Sequence, residues 1–365
     1  MTDSPILLTP GPLTTHPATR QAMLRDWGSR DKAFIALTAE LRTRLLAVAN
    51  GQATHAAIPL QGSGTFIVEA AISTLVRKTD RLLVLINGAY GERILAIAQR
   101  HGLDAVALRA PEDQAIDPAR VDATLAADPA ITHVALVHCE TTTGLLNPLE
   151  SIAGVVAHHG KPLILDAMSS FGALPLDLAA TPVCAVLASS NKCLEGVPGL
   201  GFALIAHDAL AAAKGVSPSM SFDLHAQHQG FEANGQWRFT PPVQVVAALV
   251  EALRALESEG GPTARLARYQ DNLRTLAEGM TRLGFPLYLD PAIQAPIIAT
   301  FRPSPARPFE FEAFYDGLAE RGFLIYPGKL TREDSFRIGC IGDLHRADFE
   351  RLLAAVEQVL AREPA

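Results

Sequence analysis

The feature that most constrains the fold is an alternation. From Ala56 to Ala206, short apolar runs take turns with amphipathic stretches that end at glycine or aspartate. The strand stretches "RLLVLING", "ITHVALVHCE", "KPLILDAMS", "CAVLASSN" and "GLGFALIA" each hold a nearly continuous apolar run, so both faces of each strand must be dry. Between them, "GERILAIAQRHG", "ARVDATLAAD" (capped near Asp117) and "LESIAGVVAHHG" carry helical periodicity and helix stops. Strands buried on both faces and linked by helices predict an α/β fold with a mostly parallel central sheet covered on both sides.

The rest of the chain departs from this rhythm. Pro5, Pro10, Pro12 and Pro17 make residues 1–20 an extended N-terminal segment with no helix at its start. A charged helix over about 34–50 follows. After Ala206 the alternation stops, and a loop-rich stretch runs to Pro242. Long helical patterns then cover 243–283. Short strands and helices return in "IIATFRP", "FEAFYDGLAERG", "SFRIGCIG" and "ADFERLLAAVEQVLA". The expected division is a large domain over 21–255 and a smaller C-terminal α+β domain over 256–365.

Charge and cysteine content exclude several function classes. The net charge is −7 and dispersed, with no basic stripe, so nucleic acid is not an expected partner. No apolar run approaches the length of a membrane span, and the start has no signal-peptide pattern. Cys139, Cys184, Cys193 and Cys340 form neither a CxxC pair nor a zinc-spaced cluster with histidine. They read as reduced, mostly buried thiols of a cytoplasmic protein, and no metal site is expected. His158 and His159 precede Gly160 at a helix end and read as solvated; His138 ends a strand and is left open.

In a parallel sheet, ligands gather at the carboxyl ends of the strands. Three features end strands here. "QGSGT" follows a strand and opens a helix, so Ser63, Gly64 and Thr65 offer amides and hydroxyls suited to a phosphate. A plain structural turn has the same look. Asp166 ends "KPLILD", as a helix cap or as the partner of a buried cation. Lys192 lies in "SSNKCLEGVPGLGF", between two apolar runs. Burying its ammonium is costly, so it either reaches solvent or serves as a reactive amine. Together the three match the needs of pyridoxal phosphate: a phosphate to anchor, a ring nitrogen to keep protonated, and an aldehyde to hold on a lysine.

With these residues in place the chain resembles the class V, fold-type I pyridoxal-phosphate aminotransferases over essentially its whole length. The stretches that carry the resemblance are "LLTPGPL", "DWGS", "QGSGTFIVEA", "NGAYGER", "HCETTTGLLNPL", "DAMSSFG", "SSNKCLEGVPGLGF", "RFTPPVQ" and "FRIGCIGD". Within the class it most resembles the branch acting on 2-aminoethylphosphonate and pyruvate. The resemblance implies that Lys192 carries the cofactor and shuttles the proton, and that Asp166 pairs with the ring nitrogen. Ser63, Gly64 and Thr65 would hold the phosphate, with Asn191 in the same region. Tyr90 would stack on the ring, Met168 would pack on its other face, and Thr141 would lie near its hydroxyl. Arg337 would grip the substrate's acid group, and Gly11 would border the substrate pocket. Thr240 would reach the phosphate in the neighbouring subunit, which makes the expected assembly a homodimer with shared sites.

Several of these residues also admit plain readings: Tyr90 as a core aromatic, Met168 as filler, Thr240 as a helix cap, Arg337 as an ion-pair partner. Arg30 and Lys32 in "DWGSRDKAF" depart from the pattern of the phosphonate branch, and suit either a dianionic substrate or plain surface variation. The expected reaction moves the amino group of 2-aminoethylphosphonate to pyruvate, giving phosphonoacetaldehyde and alanine. Alanine–glyoxylate or serine–pyruvate transamination is the alternative with the same chemistry. A class V lyase needs a reactive cysteine on a mobile loop, and no cysteine here lies in such a loop.

Overall fold

The computed structural model of the chain describes residues 4–303, 309–328, 330 and 334–361. Seven strands form the central sheet: β1 (His55–Gln61), β2 (Arg81–Ile86), β3 (Asp104–Arg109), β4 (His133–Val137), β5 (Leu163–Asp166), β6 (Ala185–Ser189) and β7 (Leu200–Ala206). They lie in the order β1-β7-β6-β5-β4-β2-β3. The pairs from β3 across to β6 are parallel, and β7 runs antiparallel to both its neighbours. Alternation along β2 shows why the runs are continuous: Leu83 and Leu85 enter the core on one face, while Leu82, Val84 and Ile86 enter the core on the other.

The first core also receives helix α1 (Lys32–Val48), through Leu41 and Leu45. The second receives α2 (Gly64–Leu75) and α3 (Ala89–Arg100), which follow β1 and β2. After β7 come α4 (Leu224–Asn234), α5 (Val243–Glu259) and α6 (Gly261–Arg282). Leu249, Leu253 and Leu256 of α5 belong to the first sheet core, whereas Leu276 and Met280 of α6 belong to a third, C-terminal one. That third core lies with a small antiparallel sheet of β8 (Ile298–Phe301), β9 (Tyr326–Pro327) and β10 (Phe336–Gly339), in the order β8-β10-β9.

Three local expectations are corrected. The N-terminal segment is not extended throughout: a short helix, Pro17–Gln21, starts on a proline. Proline suits a first helical position because its missing amide would have no partner there. The loop-rich stretch before Pro242 contains α4, with Asp223 accepting from the Ala226 amide at one end and left-handed Gly235 at the other. The apolar run "ITHVALVHCE" is not one strand. β4 stops at Val137, and Cys139–Glu140 turns aside to pair with Leu145–Leu146.

The N-terminal segment runs across the small sheet. Ile6–Leu7 pairs in parallel with Phe323–Leu324, and the Gly339 amide of β10 donates to the Leu8 carbonyl at 2.8 Å. Leu8 is part of the third core. This crossing carries Pro10 and Gly11 to the edge of the large sheet, beside Lys192.

Candidate active site

The carboxyl ends of β1, β5 and β6 converge on a cavity of about 420 Å³. At the end of β1, Gly62 has φ +122°, a conformation that favours glycine, and α2 begins two residues later. Ser63 occupies the N-cap position yet makes no side-chain capping bond. The first intrahelical bonds are those from Phe66 and Ile67 to the Ser63 carbonyl, so the Gly64 and Thr65 amides precede them. Unpaired amides, a hydroxyl and the positive end of a helix dipole form a cradle for a phosphate. Gly64 is needed here for closeness: a Cβ on it would sit 2.6 Å from the Met168 sulfur.

Asp166 is the last residue of β5 and is 5 % exposed. Its Oδ1 accepts from the Met168 amide at 2.9 Å. Burial pushes its carboxyl up to about 6, against that hydrogen bond. Lys192 sits in the turn after β6. The turn is closed by bonds from the Gly196 amide to the Ser190 carbonyl and from the Glu195 amide to the Lys192 carbonyl, both 2.8 Å. Lys192 is half-buried as a residue, but its amine is enclosed and donates to the Pro10 carbonyl. Burial lowers the ammonium to about 8. Among the described residues no ion pair joins Lys192 to any carboxylate, Asp166 included, and both line the cavity.

Ser63, Gly64, Thr65, Tyr90, Met168 and Asn191 line the same cavity. Four expected residues do not. Gly11 packs behind Lys192; a Cβ on it, at φ +119°, would meet the Asn191 carbonyl at 2.6 Å and Lys192 Cδ at 3.0 Å. Arg337 lies in β10 and is 1 % exposed. Its Nε donates to the Pro327 carbonyl and its Nη1 to the Thr141 carbonyl, each at 2.9 Å. Thr141 is thus buried against Arg337. Among the described residues no carboxylate forms an ion pair with Arg337, and burial lowers its proton affinity despite Glu140 nearby, which leaves a buried cation suited to an anion. Thr240 is exposed and faces other hollows, with Phe239 and Trp237. It does not cap α5, whose N-cap is Pro242. Arg30 lies by Thr240 in one of those hollows.

Two residues of the site escape sequence reasoning. Arg93 lines the cavity, donates to Thr65 Oγ1 at 3.2 Å and covers the Tyr90 ring, with 4.8 Å to its centroid. Glu140 is fully buried, accepting from the Tyr90 amide and from the Thr142 amide, both at 3.1 Å. It anchors the start of α3, and with it the ring and guanidinium that this helix sends into the cavity. His138 is also buried; Nδ1 meets Ser170 Oγ at 2.9 Å, and burial lowers it to about 4, so it is a neutral strut. The thiols are not nucleophiles: burial raises Cys184 and Cys193 to about 12 and Cys139 and Cys340 upward as well.

Comparison with known proteins now fixes the class. The profile of the aminotransferase class-V family matches residues 18–318, and the chain belongs to that family. A 2-aminoethylphosphonate–pyruvate transaminase of Pseudomonas putida (strain GB-1) is 55 % identical over 361 residues, covering 99 % of this chain and 98 % of the relative. One from Burkholderia ambifaria (strain MC40-6) is 53 % identical over 356 residues, covering 98 % and 95 %. Among solved structures, alanine–glyoxylate aminotransferase from Nostoc sp. superposes with a TM-score of 0.92 at 27 % identity, covering 99 % and 96 % of the two chains. Pyridoxamine–pyruvate aminotransferase from Mesorhizobium loti gives 0.89 at 26 %, covering 98 % and 92 %.

The cavity fits the pyridoxal phosphate of this class. It holds a lysine whose amine is easily neutralised, a dry carboxylate, and a helix-start cradle in which a Cβ on Gly64 would clash with Met168. Among the described residues no group of three or more His, Cys, Asp or Glu is placed to hold a metal ion, and no helix is long and apolar enough to cross a membrane.

Proposed function

We propose that this aminotransferase transfers the amino group of 2-aminoethylphosphonate to pyruvate, giving phosphonoacetaldehyde and alanine. The observation that carries the substrate assignment is the 53–55 % identity, over nearly the full length of both chains, to transaminases of that name. Arg337, buried and without an ion pair among the described residues, supports it, since both the phosphonate donor and the carboxylate acceptor need a cation.

Each residue has a definable task. Bound pyridoxal phosphate supplies the electron sink that lets a proton leave the amino-bearing carbon. Ser63, Gly64 and Thr65 would hold its phosphate, joined by Asn191 and by Arg93 through Thr65. Asp166 keeps a proton on its ring nitrogen; the cation there favours the ionised carboxylate that burial alone disfavours. Tyr90 and Met168, on the cavity wall, would pack on its ring, and Thr141, held beside Arg337 off that wall, would serve its hydroxyl. Lys192 would hold its aldehyde, and its amine, once free, would take the proton from the donor carbon as a general base. Its lowered proton affinity makes it neutral often enough to do so near neutral pH. Arg337 orients the acid group so that the carbon–hydrogen bond faces Lys192. With pyruvate the same residues work in reverse: Arg337 takes the carboxylate and Lys192 returns a proton. Gly11 leaves room for the lysine at the pocket's edge.

The working unit on this reading is a homodimer. Thr240 is exposed and does not line its own cavity; it shares a hollow with the half-exposed Phe66 and Phe239, so a second copy would both cover that face and receive Thr240 at its own phosphate. Division at 21–255 and 256–365 then separates the unit holding Lys192 from the one holding Arg337. Four unpaired cysteines suit the cytoplasm.

The test is a single-turnover comparison on the cofactor-loaded protein. 2-Aminoethylphosphonate bleaches the visible absorbance of the loaded lysine and releases phosphonoacetaldehyde; alanine and serine do so far more slowly. If only alanine or serine reacts, the donor is an amino acid and the phosphonate assignment fails.

A further inference from the structure

Helix α6 presents Arg265, Arg268, Tyr269 and Asn272 on one face, at helical spacing. Arg265, Tyr269 and Asn272 are buried, and the Arg268 side chain is 13 % exposed. The proposed mechanism uses none of them. Two segments meet this face, and each leads to a residue of the site.

From one side comes the turn that follows Lys192. The Cys193 carbonyl accepts from Arg265 Nη1 at 2.9 Å. Glu195, held at φ +58°, accepts from Arg268 Nη2 at 2.9 Å and from the Tyr269 hydroxyl, while its own amide donates to the Lys192 carbonyl. From the other side comes the loop after β10, the strand of Arg337. The Gly342 and Leu344 carbonyls accept from Arg268 Nη1 at 2.6 and 3.0 Å, and Asn272 Nδ2 donates to Cys340 and Leu344. Glu259, the last residue of α5, closes the cluster. It accepts from Arg265 Nε and Nη2, and from Arg268 Nε and Nη2.

Arg268 therefore makes five donor contacts, as many as a guanidinium has N–H groups, and they reach three separate segments. A buried ionic cluster of this kind is poorly explained by stability, because well-packed apolar residues often serve as well. It does impose geometry, since a planar fork accepts its partners at fixed angles.

We propose that Arg268 is a positioning residue that fixes the distance between the Lys192 amine and the Arg337 guanidinium, and so sets which acid-bearing amines react. The strut runs from the Lys192 turn through Glu195 and Arg268 to the loop after β10. An amine without an acid group has no use for that distance. The inference rests on the reading of Arg337 as the acid grip.

The experiment compares Arg268→Lys with the parent protein. Lysine keeps the charge but cannot span Glu195, Glu259 and two carbonyls at once. Single-turnover rates are measured on loaded protein with 2-aminoethylphosphonate and with n-propylamine, which carries no acid group. Displacements of about 1 Å can cost up to ~100-fold in rate, so the phosphonate-to-propylamine ratio should fall about tenfold or more. A second readout needs no turnover. In cofactor-free protein, the pH midpoint for labelling Lys192 with an amine-selective reagent should rise, because the Arg337 cation helps hold that amine's proton affinity down. Glu195→Gln is nearly isosteric, loosens the strut at its other end, and should move both readouts in the same direction. An unchanged ratio and midpoint in the folded variants would overturn the proposal. Arg337→Lys separates the two ideas: if it leaves the ratio unchanged, the acid-grip reading fails; if it lowers the ratio and Arg268→Lys does not, only the strut fails.

Discussion

Lys192 and Asp166 are placed by similar devices: Asp166 is the last residue of an apolar strand, and Lys192 lies in the turn just after one. The placement also tunes them. Burial lowers the lysine to about 8 and raises the aspartate to about 6, so each neutral form is more accessible than in water. A consequence is measurable. The nucleophile toward the cofactor aldehyde is the neutral amine, and a lowered proton affinity shifts its appearance to lower pH. Uptake of pyridoxal phosphate by the cofactor-free protein should accelerate about tenfold per pH unit below 8 and level off above it. Stopped-flow absorbance checks this; acceleration that continues to pH 10 would show an ordinary lysine. Lys192→Ala should take up no cofactor as visible absorbance. These two residues and the "QGSGT" cradle are legible because burial can be read from the apolar runs around them. Arg93 and Glu140 are not. Arg93 enters the cavity only because of the rotation of α3, and Glu140 fixes that rotation through backbone amides, which leave no trace in residue types.

At the scale of elements, the parallel strands and the helices between them follow from the length and continuity of apolar runs. Two of the three misreadings fall where polarity or proline masked a helix; the third carries a strand on into Cys139–Glu140, which turns aside. α4 is rich in His and Gln and has little apolar face, yet Asp223 and Gly235 mark both its ends. What no local pattern reveals is the crossing of the N-terminal segment over β10, a contact between residues far apart in the chain. Gly339 sits at that crossing, and a Cβ there would lie 2.3 Å from the Thr9 carbonyl oxygen. Backbone cannot yield as a flexible side chain does. Gly339→Ala should cost ~1–3 kcal/mol in denaturant unfolding and slow turnover, because Pro10 and Gly11 move away from Lys192. Gly154→Ala is the contrast. It lies in the helix Leu149–His158 with nothing within 4 Å of its added Cβ, and should stabilise by ~0.5–1 kcal/mol with turnover unchanged. Equal effects at the two positions would remove the crossing from the account of the site.

At the scale of the molecule, the proposed function draws residues from both halves of the chain and, on the dimer reading, from a second copy. The exposed position of Thr240 makes that reading testable without a structure of the assembly. In Thr240→Glu, an added carboxylate would face the phosphate in the partner's site and weaken cofactor retention there by charge repulsion. Lys192→Ala disables its own site. Each homodimer is then inactive or nearly so, for different reasons. When the two variants are unfolded, mixed and refolded together, a heterodimer has one site with both lesions and one with neither. The second site combines an intact Lys192 with an intact Thr240 from the other copy. Random pairing of equal amounts makes about half of the dimers mixed, each with one good site, so activity should return to about one quarter of the parent value. If Thr240 acted within its own subunit, the mixture would stay as inactive as its components. Recovery on mixing therefore depends on sharing across the interface, and its absence with both chains folded would confine the site to one copy.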